Sequence, residues 1–238
     1  GSPTLDGEAY LEADSVIDGV EASSGREVGL LTHALLEQAD LCGPLPGEDR
    51  LRAQARALMA ARGVLLGEPE TERAVELACN FWRSPVHEAV SRVGERDLLR
   101  EAPFLFAQGD GQGDILVSGL LDLAWVEADG LYRIVDYKTN RLEHRTPREV
   151  AEGYRLQAQV YSLGALASGA EKVRMDLLFL EQPTDPIVFE YGRSDRGLLE
   201  ECLAASMAGL REGRFAPAKG RECVVCPVSD LCEAVAPE

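Results

Sequence analysis

The stretch from Gly119 to Lys138 narrows the possible folds more than any other part of this chain. An apolar run, Gly119-Leu120-Leu121-Asp122-Leu123-Ala124-Trp125, leads to the dipeptide Asp129-Gly130, and a second apolar run, Leu131-Tyr132-Arg133-Ile134-Val135-Asp136-Tyr137-Lys138, follows. Asp-Gly between two strand-like runs signals a hairpin, because a tight turn needs residues that accept a positive φ. Side chains alternate faces along a strand, so Asp136 and Lys138, two apart, project to the same side and can share one site. Hairpin pairing brings Asp122 towards Asp136. Two carboxylates at contact distance repel and raise a pKa unless a cation lies between them, and hard oxygen donors suit Mg²⁺ or Mn²⁺. Plainer readings are a salt-linked strand end for Asp136 and Lys138 and a water-facing strand acid for Asp122. The hairpin alone leaves both sets open.

Around the hairpin the sequence reads as a helical half followed by a sheet-forming half. Residues 1–24 are acidic and aperiodic, a flexible lead-in; residues 25–238 form one domain, with a helical part at 25–100, a sheet with helices at 101–212 and a cysteine-bearing tail at 213–238. Gly1-Ser2 resembles a scar of tag removal, so the natural chain is expected to continue upstream. Val28, Leu31, Leu35 and Leu36 recur at helical spacing between about Arg26 and Asp40, and Gly43-Pro44 stops that helix. Residues 49–93 read as three helices broken near 63–69 and at Ser84-Pro85. Strands are expected at 104–106, 115–126, 131–138, 173–180 and 187–191, with helices at 147–168 and 195–211. The fold class is α/β (α+β): a central mixed sheet flanked by helices.

Composition restricts the partners. The chain has 41 acidic residues against 24 Lys and Arg, a net charge of −17, which counts against a polyanion, since nucleic-acid binding draws on cations that neutralise phosphates. That objection weakens for a module of a larger machine whose other parts hold the DNA. No apolar run approaches the roughly 18 residues of a membrane span, and no signal-peptide layout opens the chain, which places it in the cytoplasm with no membrane partner. Six cysteines without an export signal do not suggest a disulfide framework. Cys223, Cys226 and Cys232, however, have the close spacing of soft-metal ligands for zinc or an iron–sulfur cluster; free thiols packed as small apolar groups are the alternative.

Three other positions matter. His33 lies within the first helix, where a lone histidine is more often structural than a ligand. Tyr154, Gln157 and Tyr161 stand at i, i+3 and i+7 of a helix; the tyrosines suit a core, but an inward amide such as Gln157 needs a partner. His87 and His144 match no pattern and read as surface or loop residues.

In order, Gly29-x3-His33, Glu101-Ala102-Pro103-Phe104, Gly119-Leu-Leu-Asp122, Asp136-Tyr-Lys138 and Gln157-x3-Tyr161 resemble the nuclease domain of RecB and AddA/AddB over residues 26–232. The resemblance implies the restriction-endonuclease-like PD-(D/E)XK fold and a single-stranded DNA exonuclease module in recombination and repair. It would work with a UvrD-like helicase, in cis or in trans. It implies that His33, Asp122 and Asp136, with the backbone carbonyl of Tyr137, bind Mg²⁺ or Mn²⁺, and that Lys138 positions or activates the attacking water. Gln157 and Tyr161 would orient the site and the DNA backbone, with Glu101 a weaker accessory contact. Cys223, Cys226 and Cys232, after Phe215-Ala-Pro217, resemble three ligands of the [4Fe-4S] staple of AddB-type nucleases. The family's fourth cysteine, before the motif histidine, is missing from residues 1–32; Cys42 or Cys79 could take that role, or the fourth ligand could lie in the chain upstream or be absent from a domain that keeps only a cysteine-bearing tail. The alternatives are a catalytically inactive nuclease-fold scaffold or DNA-binding module, and a stand-alone exonuclease.

Overall fold

A computed structural model describes residues 19–63, 66–109, 114–213, 223, 226 and 228–234. Four helices come first: α1 (Gly19–Gln38), α2 (Glu48–Arg62), α3 (Glu68–Phe81) and α4 (Pro85–Val90). Local chemistry sets their ends. Gly63, at φ 65°, closes α2 in the left-handed conformation that glycine adopts without strain, and its N–H reaches back to Met59. Proline opens α3, and Ser84 caps α4 by accepting the His87 N–H.

Five strands follow in sheet order β1 (Leu99–Gly109), β2 (Asp114–Val126), β3 (Leu131–Lys138), β4 (Lys172–Phe179) and β5 (Ile187–Gly192). Neighbours are antiparallel except β3 and β4, which are parallel. A parallel pair needs a crossover, here supplied by α5 (Pro147–Ala151), a 3₁₀ turn (Glu152–Tyr154) and α6 (Arg155–Ala167); α7 (Arg196–Arg211) ends the layer. The hydrophobic core divides across the sheet. Leu123, Trp125, Val135 and Tyr137 pack with the helical half, while Ala124, Ile134, Met175 and Leu177 pack with α6 and α7 residues such as Ala158, Leu163 and Leu203. Alternation along β3 thus delivers one set of side chains to each layer.

The mixed sheet flanked by helices is the expected architecture, and β3 has the expected bounds. Three elements differ. Helix α1 begins at Gly19, inside the expected lead-in. Strand β1 starts at Leu99 rather than at Phe104; Pro103 is tolerated because β1 is an edge strand, where a missing N–H costs little. The helix expected over 147–168 is interrupted at Glu152–Tyr154, where Gly153 weakens helical propensity. His87, expected on the surface or in a loop, instead lies in α4, half-buried, with its Nε2 3.0 Å from the Gly43 carbonyl and its ring against Phe81; His144 is in an exposed turn. Among the described residues no helix is long and apolar enough to cross a membrane.

Candidate active site

Strand β3 ends in two buried charges. Asp136 and Lys138 are 4% and 3% exposed, and Lys138 Nζ lies 2.9 Å from Asp136 Oδ2. Burying an ion pair demands further partners. Gln157, one turn into α6, supplies them in both senses: its Oε1 accepts from Lys138 Nζ at 3.0 Å and its Nε2 donates to Asp136 Oδ1 at 2.9 Å. The same amide donates to the Tyr161 hydroxyl at 3.1 Å. Beneath the ammonium, the Tyr154 ring centroid is 3.7 Å from Nζ, and the Tyr154 hydroxyl donates to Asn140 Oδ1 at 3.2 Å. The ammonium is thereby fixed by a carboxylate, an amide oxygen and an aromatic face.

Across the strand the backbone departs from regular pairing. The β2–β3 register reaches Leu123↔Val135; one step on, where Asp122 and Asp136 would face each other, the Tyr137 N–H donates to Asp122 Oδ2 at 2.7 Å. The β1–β2 register likewise skips the step between Arg100↔Leu123 and Ala102↔Leu121, and there Glu101 adopts φ 42°. A non-glycine residue at positive φ is strained, and such strain collects at functional positions. It accompanies the approach of Glu101 and Asp122 to α1. His33 Nδ1 lies 3.5 Å from Asp122 Oδ1 and 3.8 Å from Glu101 Oε1, and the three residues each offer a ligand atom within 4.8 Å of the others. The imidazole is steadied edge-on by the Tyr137 ring, centroids 5.7 Å apart.

Electrostatics distinguish the two groups. Burial pushes the Asp122 carboxyl above its ordinary range, the charges of Asp136 and Glu101 push it further, and His33 opposes them. This is the signature of carboxylates awaiting a cation. A trio of one imidazole and two carboxylates suits a divalent ion, with hard oxygen and borderline nitrogen donors. Burial also holds the Tyr137 phenol well above its usual pKa, so it stays neutral.

The structure therefore gathers His33, Asp122, Asp136, Lys138, Gln157 and Tyr161 into two adjoining groups. Glu101, the weaker candidate in sequence, stands beside His33 and Asp122, whereas Asp136 turns towards Lys138 and Gln157. Sequence reasoning missed the support of Tyr154 and Asn140. Tyr154 had a visible signal, its place three residues before Gln157; nothing in the sequence marks Asn140.

The described residues lend no support to a cysteine ligand set. Cys223, Cys226 and Cys232 are half-buried and form no disulfide, and among the described residues they belong to no three-residue ligand group. Neither proposed fourth ligand joins them. Cys79 is buried in the helical core. Cys42 stands with the exposed Asp40 and Glu95, its Sγ donating to the Val93 carbonyl at 3.2 Å, and burial together with the Glu95 carboxylate raises its thiol pKa. Phe215-Ala-Pro217 lies outside the described residues.

The family model for the PD-(D/E)XK nuclease superfamily matches residues 9–233. An ATP-dependent helicase/nuclease subunit from Enterococcus faecalis is 28% identical over 165 residues, covering 65% of this chain and 13% of the relative. Its namesake from Carboxydothermus hydrogenoformans is 27% identical over 179 residues, covering 71% and 15%. The chain thus spans a small part of the length of these relatives. Among solved structures, a candidate exonuclease from Eubacterium rectale superposes with a TM-score of 0.48 at 14% identity, covering 90% of this chain and 76% of that one.

Proposed function

The chain belongs to the PD-(D/E)XK nuclease superfamily, and on that premise we propose that it is an active Mg²⁺- or Mn²⁺-dependent DNA nuclease that cuts single strands as a module of a helicase–nuclease. The observation that carries this reading is the juxtaposition of a three-ligand group, His33, Glu101 and Asp122, with a buried ammonium on the neighbouring strand. His33, Asp122 and Glu101 would hold the cation, with Asp136 and the Tyr137 carbonyl completing the set that the family resemblance implies. When bound, a divalent ion screens the anionic phosphodiester, lowers the pKa of a bound water and stabilises the leaving alkoxide.

The remaining roles belong to the chain itself. Lys138 Nζ donates to Gln157 Oε1 beside the Asp136 charge, and an ammonium with three donors keeps capacity for a water or a phosphate oxygen. Its charge sits where negative charge would grow in the transition state, an effect worth roughly 2 to 4 kcal/mol for a single preorganised contact. Gln157 fixes Asp136 and Lys138 relative to each other, and Tyr161 fixes Gln157. A helicase in the same chain or in a partner protein would supply the single strand, in recombination and repair. The names of the relatives and the small share of their length that this chain spans support that context.

The inactive-scaffold reading would be favoured by a lost ligand or a lost lysine, and this chain retains both. The deciding experiment is Mg²⁺-dependent cleavage of end-labelled single-stranded DNA by the wild type and by Asp136→Ala. Cleavage by the wild type alone supports the assignment; equal cleavage by both eliminates it.

A further inference from the structure

With 41 acidic residues against 24 Lys and Arg, the chain neutralises many of its arginines internally. Arg52 is held by Glu48, Asp49 and Glu72, Arg73 by Glu76 and Glu181, and Arg155 by Glu152. The segment leaving β3 breaks this pattern. Lys138-Thr-Asn-Arg141-Leu-Glu-His-Arg145-Thr-Pro-Arg148 carries three arginines and a single acid, Glu143. Arg141, Arg145 and Arg148 are all exposed. Among the described residues none of the three side chains has an ion-pair or hydrogen-bond partner. The nearest acids along the chain are bonded elsewhere and feel these arginines only at longer range: Glu149 accepts from the Thr146 N–H and hydroxyl with Arg145 nearby, and Glu152 is held by Arg155 with Arg148 nearby.

The segment is nevertheless well anchored. Asn140 Oδ1 accepts from Tyr154, the aromatic support of Lys138; buried Leu142 donates its N–H to Glu181; and Thr146 and Glu149 form a reciprocal capping box at α5. Anchors at 140, 142 and 146 alternate with the three arginines. Exposed guanidiniums without a close partner contribute little to the fold, and on an anchored segment the backbone that carries them loses little freedom when an anion binds. Their planar donor forks match phosphate oxygens. Arg141 is three residues from Lys138, at most about 10 Å along the chain.

We infer that residues 139–148 form a phosphate-binding segment that holds the nucleic-acid strand next to the bond being cut, with Arg141, Arg145 and Arg148 as its cations. The inference rests on the nuclease reading for the position of the cut, but strand binding itself does not. It also accounts for the net charge: the polyanion is retained by a local basic segment on an otherwise repelling surface.

The test is equilibrium binding of a fluorescent 20-mer oligodeoxythymidine in EDTA across a salt series. It compares the wild type, Arg141→Gln/Arg145→Gln/Arg148→Gln, and a charge-matched control, Arg50→Gln/Arg56→Gln/Arg96→Gln. The segment variant is expected to bind at least about tenfold more weakly, with a log–log salt slope reduced by about 2, the value for three lost single-strand phosphate contacts. In the same variant, hydrolysis of the p-nitrophenyl ester of thymidine 5′-monophosphate, too small to span the segment, should stay within about twofold of wild type. Unchanged affinity and slope, an equal loss in the control, or no binding by the wild type would overturn the inference. If the wild type binds the strand through these arginines yet hydrolyses neither substrate, the nuclease reading fails and the binding segment stands.

Discussion

The two groups of the site draw on the same kinds of side chain and are left in opposite electrostatic states. On the α6 side, Asp136 is matched at once by Lys138, and Gln157 serves both. On the α1 side, Asp122 and Glu101 stand together beside His33 without a cation of their own, and burial, with the charges of Asp136 and Glu101 added, pushes the Asp122 carboxyl up. One half has its counter-charge within the chain; the other becomes complete with a cation. The contrast separates residues whose removal should damage folding from residues whose removal should damage metal binding.

The largest effect is expected on the complete side. Asp136→Ala strands a buried ammonium, which should cost about 3 to 5 kcal/mol in a denaturant titration and abolish cleavage. Converting the pair together, Asp136→Asn with Lys138→Met, should recover much of the stability and none of the activity. If Asp136→Ala is as stable as wild type, the buried pair is not a closed unit.

On the incomplete side, His33→Ala and Glu101→Gln should fold normally and raise the Mn²⁺ concentration needed for half-maximal cleavage by about 10- to 100-fold. Asp122→Asn sharpens the contrast further. Its acceptor for the Tyr137 N–H is retained, while the carboxylate whose pKa burial raises is gone. A carboxyl raised above its ordinary 3.8 loses stability as pH climbs from that value through the raised one. The asparagine variant lacks that loss, so without metal it should be the more stable protein at neutral pH, with the gap closing towards pH 4. Adding Mn²⁺ should stabilise wild type and leave the variant's melting temperature unchanged; an unstabilised wild type would remove Asp122 from the ligand set.

Much of this site was legible because strand chemistry is local. Apolar alternation ending in Asp136-Tyr-Lys138, after an Asp-Gly turn, fixes β3 and the shared face of its two charges. What remained hidden depends on contacts between distant segments. Glu101 looked secondary because its approach to His33 depends on a skipped ladder step and a positive φ that no sequence pattern announces. The buried cluster of Arg133, Arg174 and Asp176, which ties β3 to β4, was equally invisible, since Asp176 within an apolar strand gives no sign that it is wholly buried between two guanidiniums. For the tail cysteines, spacing suggests a ligand set that the described residues do not assemble.

The smallest effect probes how the complete half holds its ammonium. Tyr154 supports Lys138 from below through its ring and reaches Asn140 through its hydroxyl, and the two contacts can be separated. Tyr154→Phe keeps the aromatic face and removes one neutral hydrogen bond, a change of about 1 kcal/mol in stability with activity near wild type. Tyr154→Leu keeps apolar bulk and removes the face, and the loss of a desolvated cation–π contact, up to about 2 kcal/mol, should lower kcat by roughly tenfold with KM little changed. Successive ring fluorination of a phenylalanine at this position provides a sharper reading, because it drains the negative face while altering volume little. A kcat that falls in step with fluorination assigns the effect to electrostatic support of Lys138. A kcat indifferent to fluorination but lost in Tyr154→Leu would make the residue a packing element, and the ammonium would then depend on Asp136 and Gln157 alone.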